Sequence, residues 1–205
     1  MKPIKRLFLQ GDIHTGKTSI ILRQLKPYIN DADGFTVKRV VENGECKAFY
    51  IGHISNAWKE TRICADESSV FLKKTEGVWR EDISVFVKFA SEYLLNGLGK
   101  TRLVVIDEIG GIELRSDVFM DVLRRVFTSG IACLGVLKSE NNLKLLGSSL
   151  KIEKELFARR NAIQKLIMLQ EEGEVIVLNE QNAADTEMKI GCFLKRLMES
   201  SNNKL

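Results

Sequence analysis

Eight residues near the N-terminus have the types and spacing to bind phosphate: Gly11-Asp12-Ile13-His14-Thr15-Gly16-Lys17-Thr18. They fit G-x-x-x-x-G-K-[ST] at every fixed position. A glycine-rich turn of this kind aims successive backbone N–H groups at phosphate oxygens. A helix starting there adds its partial positive charge. The expected nucleotide-binding set is Gly11 to Thr18 plus Ser19. Within it Lys17 reaches the terminal phosphates and the Thr18 hydroxyl ligates Mg²⁺. His14 occupies a position open to many residue types, so its backbone N–H matters more than its ring.

A second chemical element is Leu103-Val104-Val105-Ile106-Asp107-Glu108. Four apolar residues and then two carboxylates describe a buried strand whose carboxyl end opens on a site, which is where open α/β sheets bind ligands. Asp107 is expected at the Mg²⁺, through its water or through Thr18. Glu108 is expected to polarise a water for in-line attack on the γ-phosphate. Without the phosphate loop, the two acids would read as a strand ending in solvated carboxylates. In this chain order, after a full phosphate loop, the pair reads as hydrolytic machinery.

The elements around these residues alternate between strand-like and helix-like runs. That favours an α/β fold with a mainly parallel sheet. Arg6 to Leu9 reads as the strand before the loop, and Ser19 to Leu25 as the helix after it, stopped by Pro27. Phe35–Val41 and Cys46–Ile51 flank Asn43-Gly44 and read as an antiparallel hairpin, since both turn residues tolerate positive φ. Residues 52–81 read as irregular. Ile83, Phe86, Val87, Ala90, Tyr93 and Leu94 repeat at helical spacing up to Gly97. Ser116 is placed to cap a helix that carries Phe119, Val122, Leu123, Val126 and Phe127. Ile131–Leu137 reads as a buried strand, 138–150 as a polar loop, 152–169 as a helix, 175–178 as a strand and 186–198 as a terminal helix. Residues 1–199 are expected to form one domain, and 200–205 a disordered tail.

The bulk numbers agree with a globular α/β protein. Of the 205 residues, 44% are hydrophobic and 28% charged, and the net charge of +4 is too mild to argue for nucleic acid. Aromatic and basic residues are not interleaved as a nucleic-acid surface would require. The apolar run Leu7-Phe8-Leu9 is too short for a secretory leader, and no stretch has the length of a membrane span. Cys46, Cys64, Cys133 and Cys192 form no C-x-x-C pair. They read as reduced thiols of a cytoplasmic protein.

Gly11–Ser19, Gly34-Phe35 and above all Val105-Ile106-Asp107-Glu108-Ile109-Gly110-Gly111-Ile112-Glu113-Leu114 resemble the cancer-related (THEP-type) nucleoside-triphosphatases. The resemblance runs from residue 5 to about 137, and more loosely through 175–182. It implies a P-loop three-layer sandwich with a RecA-like core. It also implies a Mg²⁺-dependent hydrolase that is slow and broad in base preference, acting on ATP, GTP and other triphosphates. Glu113 joins the site through this resemblance, orienting Glu108 or a loop lysine. Gly110 and Gly111 would let the backbone pass close to the γ-phosphate. The chain departs from the family at Gly111, where lysine is usual, at Thr36-Val37-Lys38, where the family tends to an aromatic-Thr-Glu pattern, and at Asn182-Ala183, where an Asn-Arg pair is expected. A longer 138–170 segment is the fourth departure.

Three functions follow for testing. The first is hydrolysis of a nucleoside triphosphate to the diphosphate and phosphate. The second is a small-molecule or nucleotide kinase, which needs an acceptor site. The third is a nucleotide-dependent switch or assembly factor. A transition-state arginine is expected for fast turnover, with Arg62, Arg80, Arg115, Arg159 and Arg160 as candidates. His53 reads as a hairpin-end residue without a chemical role.

Overall fold

The computed structural model of the protein describes residues 2–58, 67–147 and 154–199. Arg62, Cys64 and the tail from 200 lie outside the described residues. The centre is one eight-stranded sheet in the order β5-β4-β3-β2-β6-β7-β1-β8. The strands are β1 (Arg6–Gln10), β2 (Ala32–Glu42), β3 (Glu45–His53), β4 (Val70–Thr75), β5 (Val78–Glu81), β6 (Leu103–Ile109), β7 (Ala132–Leu137) and β8 (Gly173–Val177). Five of them, β8-β1-β7-β6-β2, pair in parallel. The pairs from β2 to β5 are antiparallel. One strand, β7, therefore separates the strand of the phosphate loop from the strand of the carboxylates.

Helices cover both faces. α1 (Lys17–Leu25) and α6 (Ala183–Glu199) lie on one, against Leu7, Leu9, Val105, Leu134 and Val136. α2 (Ile83–Gly97), α3 (Asp117–Thr128) and α5 (Lys154–Ile167) lie on the other, against Phe8, Phe35, Val104, Ile106 and Cys133. Successive residues of β1 and β6 thus feed opposite cores. That is why both strands read as unbroken apolar runs rather than as alternating ones. The expected three-layer sandwich is borne out.

The Asn43-Gly44 turn forms as expected, with φ of +51° and +80°. Ser116 caps α3 by accepting from the Phe119 N–H at 3.3 Å. α1 ends at Leu25, and Pro27 sits in a 3₁₀ continuation over Lys26–Asp31.

Two expectations are corrected. Within 52–81, β4 and β5 form a second hairpin around Glu76 and Gly77, with φ of +51° and +81°. These are outer strands with charged, half-exposed faces, so little apolar alternation announces them. Within 138–150, α4 (Glu140–Gly147) replaces the polar loop. Ser139 starts it by accepting from the Asn142 N–H at 3.2 Å, and buried Leu143 anchors it. Polar residues on both sides of Leu143, from Ser139 to Lys144, leave no readable helical period there.

Candidate functional site

The phosphate-loop motif spans the turn from β1 into the first residues of α1. Lys17 is buried, and its ammonium donates to the Gly11 and Asp12 carbonyls at 3.0 and 2.5 Å and to Thr15 Oγ1 at 3.1 Å. Burial lowers its pKa, and Lys138 pushes the same way, while Glu108, Asp12 and Asp107 oppose. Thr15 Oγ1 donates to Asp12 O at 2.9 Å. Asn142 of α4 donates through Nδ2 to Gly11 O at 2.9 Å, so the helix that sequence reading missed braces the loop.

Asp107 and Glu108 stand in the last turn of pleat of β6. The β6–β7 ladder skips from Ile106 to Ile109, and the Asp107–Glu108 peptide is cis. Asp107 is 2% exposed. Its Oδ1 accepts from Thr18 Oγ1 at 2.7 Å and its Oδ2 from Thr36 Oγ1 at 2.8 Å. Burial nonetheless lifts its carboxyl from 3.8 to about 6, because losing water outweighs two hydroxyl donors. Thr36 reaches Asp107 because β2 pairs with β6 at that register, Thr36 opposite Asp107.

Thr18 and Asp107 offer hard oxygen atoms side by side at the loop. No group of three or more His, Cys, Asp or Glu side chains suited to a metal occurs among the described residues. A divalent cation that takes few protein ligands and fills its shell with phosphate oxygens and water fits that donor set.

Glu108 is partly exposed, and its Oε2 lies 3.1 Å from Lys138 Nζ. Glu113 is buried, and its Oε1 accepts from the N–H groups of both Gly110 and Gly111 at 2.7 Å. Burial raises the Glu113 pKa, opposed by the Gly111 N–H and by Lys138. Glu113 therefore braces the loop backbone, whereas the partner of Glu108 is Lys138. A Cβ on Gly111 would stand 2.8 Å from Glu113 Oε2, too close for any side chain without rearrangement.

These residues share one cavity of about 440 Å³. Lys17, Thr18, Asp107, Glu108, Gly111, Glu113 and Lys138 line its polar part, with Ile13, His14, Gly16 and Ser19 of the loop. Another side is mostly apolar, walled by Val37, Phe49, Phe71, Leu72, Phe86 and Ile112, with Arg39 beside the Phe49 ring, 5.8 Å from its centroid. Gly11 and Asp12 also border a separate, more polar hollow at the ends of β1 and β8.

The arginine candidates go elsewhere. Arg115 pairs with Glu81 at 2.6 Å, and Arg159 with Asp117 and Glu155 at 2.6 and 2.7 Å. Arg80 is exposed on β5. Arg160 is buried; it donates to the Lys138 carbonyl at 2.9 Å and to Gln10 Oε1 at 2.6 Å, and it lines the separate hollow that Gly11 and Asp12 border. Sequence reading missed Thr36, Asn142 and Lys138. For Lys138 a clue existed, since it follows a buried strand as Asp107 ends one.

A profile of the NTPase family matches residues 6–182. The nucleoside-triphosphatase THEP1 of Thermotoga petrophila is 24% identical over 137 residues, which are 67% of this chain and 74% of that protein. The crystal structure of THEP1 from Aquifex aeolicus superposes with a TM-score of 0.60 at 18% identity, covering 90% of this chain and 95% of the other. The solution structure of a human cancer-related nucleoside triphosphatase gives 0.65 at 19% identity, covering 94% and 98%. The fold is thus shared across most of the length, and with the profile spanning loop, carboxylates and last strand, this chain belongs to the THEP-type NTPase family.

Proposed function

We propose that this protein is a Mg²⁺-dependent nucleoside-triphosphatase that converts a triphosphate and water to the diphosphate and phosphate. The observation that carries the reading is the convergence of Thr18, Asp107 and Glu108 on one cavity with Lys17, from elements far apart in sequence. Lys17 exchanges loop carbonyls for phosphate oxygens and neutralises charge that develops on them. Thr18 and Asp107 would hold the cation, which would supply neutralisation of phosphate charge there. Glu108 takes the proton of the attacking water. Thr36 holds the second oxygen of Asp107, and Glu113 fixes the loop that follows Glu108.

Slow turnover is part of the proposal and, like broad base tolerance, rests on the family resemblance. We also take residues 1–199 as one functional domain, supported by the single sheet, and place the protein in the cytoplasm. No helix among the described residues is long and apolar enough to cross a membrane.

The mostly apolar side of the cavity favours one second reading, phosphoryl transfer to an acceptor seated against Phe49, Phe71 and Phe86. A phosphate-release screen over ATP, GTP, CTP and UTP decides. Hydrolysis predicts free phosphate that disappears with chelator. Glu108→Gln should keep nucleotide binding and lose about 10²–10⁴-fold in rate. Release at the parent rate by that variant rules out Glu108 as the base. Label that appears on an acceptor, instead of as free phosphate, rules out the hydrolase.

A further inference from the structure

Lys138 stands one residue beyond β7, and its backbone is pinned from both sides. Its N–H donates to Ile109 O at 2.7 Å, and its carbonyl accepts from Arg160 Nε at 2.9 Å. Arg160 in turn donates to Gln10 Oε1 at 2.6 Å, at the end of the phosphate-loop strand. So the root of Lys138 is fixed against β6 and β1 together.

Its side chain is 16% exposed and runs past the two glycines after Glu108. A Cβ on Gly110 would meet Lys138 Cβ at 3.1 Å, and one on Gly111 would meet Lys138 Cε at 3.3 Å. The bare backbone of Gly110-Gly111 is the groove in which this lysine lies. The ammonium ends 3.1 Å from Glu108 Oε2, inside the cavity that holds Lys17. Glu113 also feels its charge.

This arrangement creates a conflict. Glu108 Oε2 is occupied by the Lys138 ammonium, yet Glu108 is the carboxylate placed to accept from the attacking water. A triphosphate resolves it by presenting a more highly charged anion to the same ammonium.

We infer that Lys138 is a second phosphate-binding lysine that exchanges Glu108 for the γ-phosphate, so that the base is released only when a γ-phosphate is present. Water then attacks the γ-phosphorus, its proton passes to Glu108, and the bond from phosphorus to the β–γ bridging oxygen breaks. The nucleoside diphosphate leaves with that oxygen. The base-release half of this inference rests on the hydrolase reading. The phosphate contact does not.

The test is binding and turnover of Lys138→Met, which keeps the apolar stem, and Lys138→Arg, which keeps the charge. Titrate each with a non-hydrolysable ATP analogue and with ADP, both with Mg²⁺. One charged hydrogen bond is worth about 10–100-fold. The preference of the parent for triphosphate over diphosphate should fall by about that factor in Lys138→Met. ADP affinity should stay within about twofold, which also verifies the fold, and Lys138→Arg should recover part of the preference. With ATP, kcat of Lys138→Met should fall by about the same factor.

An unchanged triphosphate-to-diphosphate ratio overturns the phosphate contact. A kcat above the parent's overturns the base release, since the pair would then still restrain Glu108 with the triphosphate bound. If the parent releases no phosphate while the ratio still falls, the hydrolase reading fails and the phosphate-binding lysine stands.

Discussion

Two backbone N–H groups, those of Gly110 and Gly111, converge on one buried oxygen of Glu113. Removing that oxygen strands both donors, at about 1–3 kcal/mol for each buried group left unpaired. Glu113→Ala should therefore lower the unfolding free energy, read from denaturant melts, by an amount in that range or above, while Glu113→Gln, which keeps an acceptor, should cost much less. Equal losses would mean the bonds are unimportant. Asp107 carries the opposite liability. Its carboxyl is lifted to about 6 by burial. A raised folded-state value means that ionisation opposes folding, so the contribution is fully present below about pH 4 and is lost as pH rises through 6. The shift of about two units corresponds to roughly 3 kcal/mol. In chelator at pH 7.5, Asp107→Asn should be more stable than the parent by up to that amount, and it should lose turnover. A melt showing lower stability would contradict the account. Sequence spacing disclosed Lys17, Thr18, Asp107 and Glu108 because a phosphate loop and a strand end are local patterns. Thr36 and Lys138 come to the same carboxylates from other strands. A lone threonine in a β-branched run shows no such role until the register with β6 is known.

At the scale of elements, α2 is fastened by one ring. Phe86 lies edge-on to Phe35, Phe71 and Phe119, with centroids 5.5, 5.0 and 5.4 Å away. It thus joins β2, β4 and α3 to the helix and also walls the mostly apolar side of the cavity. Phe86→Ala should cost about 3–5 kcal/mol in urea unfolding. A loss below about 1 kcal/mol would show that the cluster closes over the gap. β2 and β6 approach closely at Gly34, where φ is +118° and an added Cβ would stand 2.0 Å from Val105 O. Backbone cannot yield there as a flexible side chain would, so Gly34→Ala should abolish the folded sheet, read as loss of cooperative melting. Long buried strands and periodic helices were legible because their apolar content is dense. The β4–β5 hairpin was not, since it holds few buried residues, and α4 was not, since its first residues, Glu140 to Asn142, are polar.

For the molecule as a whole, the two cores meet only across the sheet, so residues at its rim tie distant segments. Arg6, 2% exposed, donates to the carbonyls of Ile167, Phe127 and Leu169, linking β1 to the ends of α3 and α5. Burial in the same sheet pushes the Cys133 thiol up to about 12, whereas Cys192 is exposed. At pH 8 a thiol reagent should label Cys192 quickly and Cys133 only at the rate of opening of the sheet. Fast labelling of Cys133 would show that the sheet opens locally. The alternation of elements made the class of fold legible, but strand order depends on contacts between remote segments and had to be seen. That order has a consequence for how such a protein can diversify. Thr36, on Asp107, is the last residue of β2 to pair with β6, and Val37–Glu42 continue into the antiparallel arm. The arm supplies the side chains of Val37, Arg39, Phe49, Phe71 and Leu72 to the cavity, and to Asp107 only the backbone N–H of Val37. Side chains of the arm can thus be exchanged, by drift or by design, to reshape that side of the cavity while the hydroxyl and backbone grip on Asp107 is inherited intact.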